Sequence, residues 1–253
     1  MSHSACIVPV APLRVEPAHR SEQVSQLLFG EVAETLEANG DFIRVRATYD
    51  GYEGWCQASQ LTTLEAGPEM AEVDELVGEW VAPVELDGTV MHVPFGSSLG
   101  LFKDGVGTIG QQTFHYRGNA WQVAGNKTAQ LEEIALRFLN CPYQWGGRSV
   151  FGIDCSGYTQ TVFRYLGTRL LRDAYQQAGQ GEAIGFLQEA KKGDLAFFDN
   201  EQGRITHVGI LLDEQNILHA SGKVRLDGID NMGIINRETG KRTHQLRVIK
   251  RLL

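Results

Sequence analysis

The chain has 253 residues, 42% of them hydrophobic, which is enough for two or three domains with buried cores. Its 23 basic and 31 acidic residues give a net charge of −8, and this balance argues against nucleic acid and anionic membranes as partners. No apolar run in the sequence approaches the length that spans a bilayer.

The N-terminal stretch M-S-H-S-A-C-I-V-P-V-A-P-L-R-V does not resemble a secretory signal. It has no basic region, and Pro9 and Pro12 interrupt its only apolar run. We therefore expect a soluble, cytoplasmic protein. The sequence leaves the oligomeric state open.

The four cysteines are scattered and contain no C-x-x-C pair. This spacing favours neither a disulfide framework nor a zinc site, so no metal and no cofactor are expected. Cys6, Cys56 and Cys141 are interpreted as small buried hydrophobic residues. Cys155 stands apart because of its surroundings in the sequence.

Residues 1–65 contain short apolar runs separated by turn residues, a pattern that predicts strands. Asn39-Gly40-Asp41 and Asp50-Gly51 supply the turns, and F-I-R-V-R alternates apolar and polar residues. We predict a small, half-open β-barrel. The short motifs L-x-x-G-E at Leu27 to Glu31 and D-G-Y-x-G-W at Asp50 to Trp55 resemble those of bacterial SH3 (SH3b) domains.

Residues 66–124 begin with an acidic linker that runs to about Glu75. Strand-like runs follow, among them E-W-V-A-P-V-E-L, V-M-H-V-P-F and T-F-H-Y-R, with glycine-rich turns between Gly96 and Gly110. We predict a second all-β domain, a diverged SH3b-like one, although the sequence shows no clear repeat of the first.

The remaining residues, 125–253, begin with a predicted helix capped by Asn126 or Thr128. Its apolar positions share one face: Leu131, Ile134, Ala135, Phe138 and Leu139. The helix leads into the loop C-P-Y-Q-W-G-G, whose proline and glycines are typical of sharp turns or close backbone approach. The runs D-L-A-F-F, I-T-H-V-G-I-L-L, N-I-L-H-A and Q-L-R-V-I-K-R-L predict an antiparallel sheet.

Cys155 follows Asp154, a favourable N-cap residue, and precedes an apolar helical stripe that ends at Gly167. The thiol is therefore predicted at the start of a helix. There the helix dipole and unpaired N–H groups favour a thiolate and can also stabilise an oxyanion. These properties make Cys155 a candidate nucleophile.

A base for this nucleophile is predicted in R-I-T-H-V-G-I-L-L-D-E-Q-N-I-L-H-A-S, which contains two apolar runs around a polar turn. In a hairpin folded about Asp213, His207 and His219 pair directly across the strands and face the same side. One imidazole then orients the other, which predicts His207 as base and His219 as the group that fixes its tautomer.

Four motifs in this order resemble the NlpC/P60 family of papain-like cysteine peptidases, which act on bacterial cell-wall peptides. They are P-Y-Q-W-G-G, G-I-D-C-S-G-Y, G-D-L-A-F-F and T-H-V-G-I followed by H-A, within a region from about Gly125 to the end. The resemblance implies an α+β fold: a papain-like domain preceded by one or two SH3-like barrels. It also implies Cys155 as nucleophile, His207 as base, His219 as the third polar residue, and Tyr143 over the active site as a ligand of the oxyanion.

The domain order implies a substrate. NlpC/P60 proteins that begin with SH3b domains resemble γ-D-glutamyl-L-diamino acid endopeptidases, which cut murein tripeptides or tetrapeptides with a free N-terminal L-Ala. The resemblance makes Asp154 and Ser156 candidate ligands of the α-ammonium group. Glu22 and Tyr52 are further candidates on the first barrel, although they also fit ordinary surface positions, as Asp154 fits a plain N-cap.

Three alternatives to a murein-recycling peptidase stay open. The first is a cell-wall remodelling hydrolase that acts on intact peptidoglycan. The second is another thiol amidase or acyltransferase, because the same triad serves amides and esters. The third is a non-catalytic wall-binding protein, against which the intact Cys/His/His set argues. The sequence does not distinguish diaminopimelate from lysine as the diamino acid.

Overall fold

The computed structural model describes residues 2–64, 75–121 and 127–253. These residues form two compact units: one contains 2–64, 75–121 and Trp145–Phe151, and the other contains 127–144 and Gly152–Leu253. Strands dominate both units and the α-helices lie in the second, as the predicted α+β class requires. Within the described ranges, no helix combines the length and apolar composition needed to cross a bilayer.

The first unit begins with a seven-stranded antiparallel sheet in the order β3-β2-β6-β5-β4-β1-β7. Its strands are β1 His3–Cys6, β2 Val10–Arg14, β3 Gln23–Leu28, β4 Val32–Asn39, β5 Phe42–Ala47, β6 Glu53–Gln57 and β7 Leu61–Leu64, with a 3₁₀ helix at Ala58–Gln60. Asn39 pairs with Phe42, so the turn predicted at Asn39-Gly40-Asp41 is a two-residue turn of Gly40 and Asp41. Cys6 and Cys56 are buried in the core of this sheet, as predicted.

A second antiparallel sheet follows in the order β10-β9-β13-β12-β11, which confirms the predicted all-β stretch. The strands of this stretch are β8 Leu76–Val77, β9 Val81–Leu86, β10 Thr89–Pro94, β11 Phe102–Lys103, β12 Val106–Ile109, β13 Gln112–Tyr116 and β14 Ala120–Trp121. The predicted domain boundaries at 65/66 and 124/125 fall at residues 65–74 and 122–126, which lie outside the described residues. Those boundaries stay predictions.

Trp145–Phe151, which contains strand β15 at Arg148–Ser149, belongs by its contacts to the first unit, although the predicted third domain included it. The Arg148 guanidinium donates to both carboxylate oxygens of Glu31 at 2.9 and 3.0 Å, and both side chains are buried. The Arg148 N–H also donates to Gln26. Because a buried charge is tolerated only when paired, this ion pair fixes the segment on β3 and the turn after it.

The second unit is built on a seven-stranded antiparallel sheet in the order β17-β23-β18-β19-β20-β21-β22, and β22 also pairs with β23. The unit contains strand β16 Gly152–Ile153 outside this sheet. The strands of the sheet are β17 Glu182–Ile184, β18 Leu195–Asp199, β19 Ile205–Leu211, β20 Asn216–Ser221, β21 Lys223–Asp230, β22 Gly233–Ile235 and β23 Arg242–Arg251. Its helices are α1 Lys127–Arg137, α2 Cys155–Tyr165 and α3 Ala174–Gln177, with a 3₁₀ helix at Leu187–Glu189.

Helix α2 is buried along its whole length and packs on β19 and β20. Tyr158 of α2 contacts Phe138 edge to face and donates its hydroxyl to the Ala135 carbonyl of α1 at 3.0 Å. The predicted apolar face of α1 is confirmed except at Leu139, which is 41% exposed because α1 ends at Arg137 and the helical periodicity ends with it. Thr128 lies inside α1 and is not its cap, and Asn126 lies outside the described residues.

Candidate active site

Cys155 is the first residue of α2, as the sequence predicts. The Asp154 side chain caps the helix by accepting a hydrogen bond of 2.7 Å from the Gly157 N–H. Helix α2 is then followed by Gly167 at φ 67°, a conformation that glycine adopts without strain. The thiol therefore sits at a helix start, where the Ser156 N–H contacts it, although it is only 7% exposed.

Arg172 holds the other predicted residues of this helix start. Its guanidinium donates to both carboxylate oxygens of Asp154, at 3.0 and 2.6 Å, and to Ser156 Oγ at 3.0 Å. All three side chains are buried. Asp154 and Ser156 thus carry a structural network, and their predicted role in binding a substrate ammonium stays a prediction. No role at this helix start was predicted for Arg172, because it lies beyond the end of α2 and belongs to no local pattern.

The two predicted histidines meet: His207 Nε2 and His219 Nδ1 lie 2.8 Å apart, and both rings are buried. The predicted register is wrong by two residues, because His219 pairs with Gly209 and the hairpin is centred on Glu214. His207 is therefore the diagonal neighbour of His219. A shift of two keeps both side chains on the same face, so the contact survives the error.

Gly209 explains why the diagonal arrangement forms. A Cβ atom at this position would lie 2.9 Å from the His219 Cβ and 2.8 Å from a methyl carbon of Ile217. Any larger residue would push His219 away from the strand that carries His207. The glycine of T-H-V-G-I thus makes room for the second histidine.

Burial favours the uncharged forms of the Cys155 thiol and the His207 imidazole. It raises the pKa of Cys155 to about 12, and the Asp154 carboxylate adds to the rise, while the Val208 N–H, Arg172 and the Ser156 N–H lower it. Burial also lowers the pKa of His207 well below its usual range, with contributions from His219 and His244. Burial thus opposes the thiolate that the helix start was predicted to favour. The contact with the Val208 N–H places the thiol beside β19. Val208 directly follows His207 in the chain.

The raised thiol pKa predicts an alkaline reactivity profile. We expect alkylation of Cys155 by iodoacetamide to keep increasing with pH above 8.5, the usual pKa of a free thiol, because the thiolate forms only at higher pH. Mass spectrometry of the alkylated peptide measures the rate, with free cysteine as reference. A rate that is already constant near pH 7 would show a resting thiolate and contradict this expectation.

Two further side chains surround the histidines, and both were missed in the sequence. Asp227 Oδ2 lies 3.1 Å from His219 Nε2, and both residues are 1% exposed. The His244 ring stacks on His207 with centroids 4.1 Å apart, and burial lowers its pKa to about 4. The alternation of V-R-L-D in β21 signals a strand, but nothing in the sequence shows which residue it faces.

Tyr143 is half-buried and lies near Cys155 in the same unit. Burial raises its pKa, and the negative charge of Asp154 and of Cys155 in its thiolate form adds to the rise, so its hydroxyl keeps its proton at neutral pH and remains a hydrogen-bond donor. Its backbone is fixed by a bridge to Ile153 and by a bond of 3.0 Å to the Gly222 carbonyl. A protonated hydroxyl here suits the predicted oxyanion ligand.

Glu22 and Tyr52 lie in the first unit. The exposed Glu22 carboxylate accepts a hydrogen bond of 2.7 Å from the indole N–H of Trp145. The Gln23 side chain donates to the Trp145 carbonyl at 3.0 Å, which fixes the same residue from a second direction. Tyr52 is half-buried and directly precedes β6. The role of Glu22 and Tyr52 in substrate binding stays a prediction.

Comparison with known sequences supports the resemblance. The NlpC/P60 family profile matches residues 140–243, and the profile of the bacterial dipeptidyl-peptidase Sh3 domain matches residues 13–61. The γ-D-glutamyl-L-lysine dipeptidyl-peptidase of Bacillus subtilis (strain 168) is 31% identical over 216 residues, 78% of this chain and 71% of the relative. The protein of the same name from Bacillus cereus (strain ATCC 10987) is 27% identical over 251 residues, 87% and 74% of the two chains.

Solved structures confirm the predicted fold. A crystal structure of an NlpC/P60 family protein from Bacillus cereus ATCC 10987 superposes with a TM-score of 0.81 at 21% identity and covers 99% of both chains. An NlpC/P60 endopeptidase from Photobacterium damselae subsp. piscicida gives a TM-score of 0.66 at 16% identity, covering 97% of this chain and 65% of that one. Both structural similarities are similarities of fold alone.

Proposed function

Since this chain belongs to the NlpC/P60 family, we propose that it is a cysteine endopeptidase that hydrolyses the γ-D-Glu–diamino acid bond of free murein stem peptides. The observation that carries the proposal is the His207–His219 contact of 2.8 Å on the sheet against which the helix of Cys155 packs. A nucleophile, a base and a group that orients the base are what acyl transfer requires. This arrangement also argues against a non-catalytic wall-binding protein.

The proposed reaction starts from an uncharged thiol and an uncharged imidazole. As Sγ of Cys155 attacks the carbonyl carbon, its proton passes to His207 Nδ1, because His207 Nε2 is engaged with His219. The tetrahedral intermediate collapses when the imidazolium gives this proton to the amine of the diamino acid, which leaves. Water, deprotonated by the same imidazole, then hydrolyses the thioester and frees the thiol.

The oxyanion of each tetrahedral intermediate needs hydrogen-bond donors at the helix start. Backbone N–H groups at the first turn of α2 lie there, and the Tyr143 hydroxyl keeps its proton under the influence of burial. We assign the stabilisation of the oxyanion to these hydrogen-bond donors. Donors that are fixed in advance stabilise developing charge without reorganisation, so they contribute mainly to kcat.

The names of the two Bacillus relatives support a free amino terminus on the substrate. Both are called γ-D-glutamyl-L-lysine dipeptidyl-peptidases, and a dipeptidyl-peptidase removes two residues from an unblocked N-terminus. An ammonium group needs a carboxylate partner when it leaves water. We assign this role to Glu22, assisted by Tyr52, because the Trp145 indole N–H holds the Glu22 carboxylate in a fixed orientation.

Acetylation of the substrate amine tests this assignment. We expect N-acetyl-L-Ala-γ-D-Glu-L-Lys to be cleaved at least tenfold less efficiently than the free peptide, because acetylation removes the charge that Glu22 binds. Mass spectrometry of the products gives kcat/KM. The same measurement with diaminopimelate in place of lysine identifies the preferred diamino acid.

Two variants separate the Glu22 charge from other effects of the barrel. Glu22→Gln removes the charge but keeps an oxygen for the Trp145 indole, so it should lose activity on the free peptide and little more on the acetylated one. Glu16→Gln, an exposed carboxylate of the same barrel, is the matched control and should behave like the parent. Equal cleavage of free and acetylated peptides would overturn the assignment.

We further propose that the protein recycles murein peptides in the cytoplasm. In intact peptidoglycan the L-Ala amine is held in an amide bond, so only released stem peptides present the ammonium group that Glu22 is proposed to bind. Efficient cleavage of isolated walls would instead favour a remodelling hydrolase. Hydrolysis of simple esters or amides but not of the stem peptide would favour a different thiol hydrolase or acyltransferase.

A further inference from the structure

His219, the second histidine of the site, is itself held by a buried carboxylate. His219 pairs with Arg225 of the neighbouring strand β21, and Asp227 lies two residues further along on the same face. Asp227 Oδ2 approaches His219 Nε2 to 3.1 Å. A continuous row of side chains therefore runs from His207 on β19 through His219 on β20 to the Asp227 carboxylate on β21.

Asp227 is charged and fixed from several sides. Burial alone would raise its pKa, but hydrogen bonds from His219, the Arg237 N–H and Arg225 hold the pKa below its usual range. Arg225 Nε donates to Oδ2 at 2.8 Å and Arg225 Nη2 to Oδ1 at 3.2 Å, and the Arg237 N–H donates to Oδ1 at 3.0 Å. A carboxylate in this state only accepts hydrogen bonds.

When both imidazoles are neutral, an accepting carboxylate at one end determines the proton positions along the row. His219 must carry a proton on Nε2 to donate to Asp227, which leaves Nδ1 of neutral His219 as an acceptor. His207 must then donate from Nε2 to His219 Nδ1. In neutral His207 the remaining nitrogen, Nδ1, is unprotonated and can take the thiol proton.

We propose that Asp227 is a positioning residue that sets the tautomers of His219 and His207 and thereby makes His207 Nδ1 the base for Cys155. This inference rests on the proposed peptidase function. Asp227 acts only through the two histidines, so its loss should lower kcat and leave KM nearly unchanged.

Asp227→Asn is an informative test because an amide cannot replace the carboxylate without conflict. An amide nitrogen at the Oδ1 position would face two fixed donors, Arg225 Nη2 and the Arg237 N–H. At the Oδ2 position it would face one fixed donor, Arg225 Nε, and His219, which can change its tautomer. The second orientation is favoured. His219 then donates from Nδ1, and His207 is forced to carry its proton on Nδ1, where it cannot accept one.

The tautomers can be read directly by ¹⁵N NMR of the imidazoles in the full chain, without any substrate. We expect the proton of His207 on Nε2 in the parent and on Nδ1 in Asp227→Asn. On the stem peptide, kcat should fall roughly a hundredfold or more, with KM within about threefold. Asp230→Asn is the matched control, since Asp230 lies on the same strand and its Oδ2 also accepts from an arginine, Arg242, at 2.6 Å. It should change neither the tautomers nor kcat.

Arg225→Met tests whether Asp227 acts by orienting His219 or through its ion pair with Arg225. It removes the arginine but keeps the His219–Asp227 bond, so the tautomers should stay as in the parent and kcat should fall only a few-fold. In a His219→Asn background, Asp227→Asn should have almost no further effect on kcat, because the group through which it acts is gone.

The outcomes separate this inference from the proposed function. Parent tautomers and parent kcat in Asp227→Asn would overturn the positioning role, as would a tautomer switch in Arg225→Met. A parent protein that cleaves no stem peptide, combined with the expected tautomer switch in Asp227→Asn, would refute the proposed substrate and still support the role of Asp227.

Discussion

Replacement of Cys155 by alanine should abolish hydrolysis of the stem peptide, with at least a thousandfold loss of kcat/KM, because no other group in the site can form the thioester. The change removes one sulfur from a nearly buried position, so the expected cost in stability is only about 1 kcal/mol. Turnover followed by mass spectrometry and unfolding followed by circular dichroism measure the two effects.

Cys141→Ala is the matched control for Cys155→Ala. Cys141 is also buried, at 5% exposure, and burial also raises its pKa, to about 11. The control should lose a similar small amount of stability and keep its activity. Turnover that persists in Cys155→Ala would show that the thiol is not the nucleophile, whatever the state of the fold.

Replacement of Arg172 by methionine should destabilise the second unit by about 3–5 kcal/mol, because it leaves the buried Asp154 carboxylate without its ion-pair partner. Asp154 caps α2, so the start of the nucleophile helix should loosen first. Arg172 also lowers the pKa of Cys155, and its loss should shift thiol alkylation to still higher pH. Urea denaturation gives the free energy of unfolding.

Arg242→Met removes an arginine from an exposed ion pair of the same unit. Arg242 and Asp230 are 37% and 41% exposed, so this variant should lose no more than about 1 kcal/mol. Equal destabilisation by the two variants would mean that burial of the Arg172–Asp154 pair has no special importance. An Arg172→Met protein that is as stable as the parent and is alkylated at the same pH would also show that burial of this pair has no special importance.

Much of the fold could be predicted because it depends on neighbours in the sequence. Asp154 before an apolar stripe and Gly167 after it defined α2, and the Asn39-Gly40-Asp41 turn defined the β4–β5 hairpin. The motifs around Cys155 and His207 sufficed to identify the family. The face shared by His207 and His219 was also predictable, since an even spacing across a hairpin survives a register error of two residues.

The residues that tune the site were not predictable, because they lie far along the chain or on another strand. Arg172 reaches Asp154 and Ser156 from beyond the end of α2. Asp227 faces His219 only because β21 pairs with β20 in one particular register. Neither relation leaves a local pattern, since strand pairing is determined by the packing of the whole sheet.

The charge state of Cys155 also depends partly on the local sequence and partly on the tertiary structure. The sequence by itself determined that the thiol stands at a helix start, a setting that favours thiolate. Only the tertiary structure decided how deeply that start is buried, and burial raises the pKa of the thiol more than the N–H groups and Arg172 lower it. The sequence thus pointed to the candidate reacting groups, whereas their protonation depends on desolvation, which neighbouring residues in the chain do not determine.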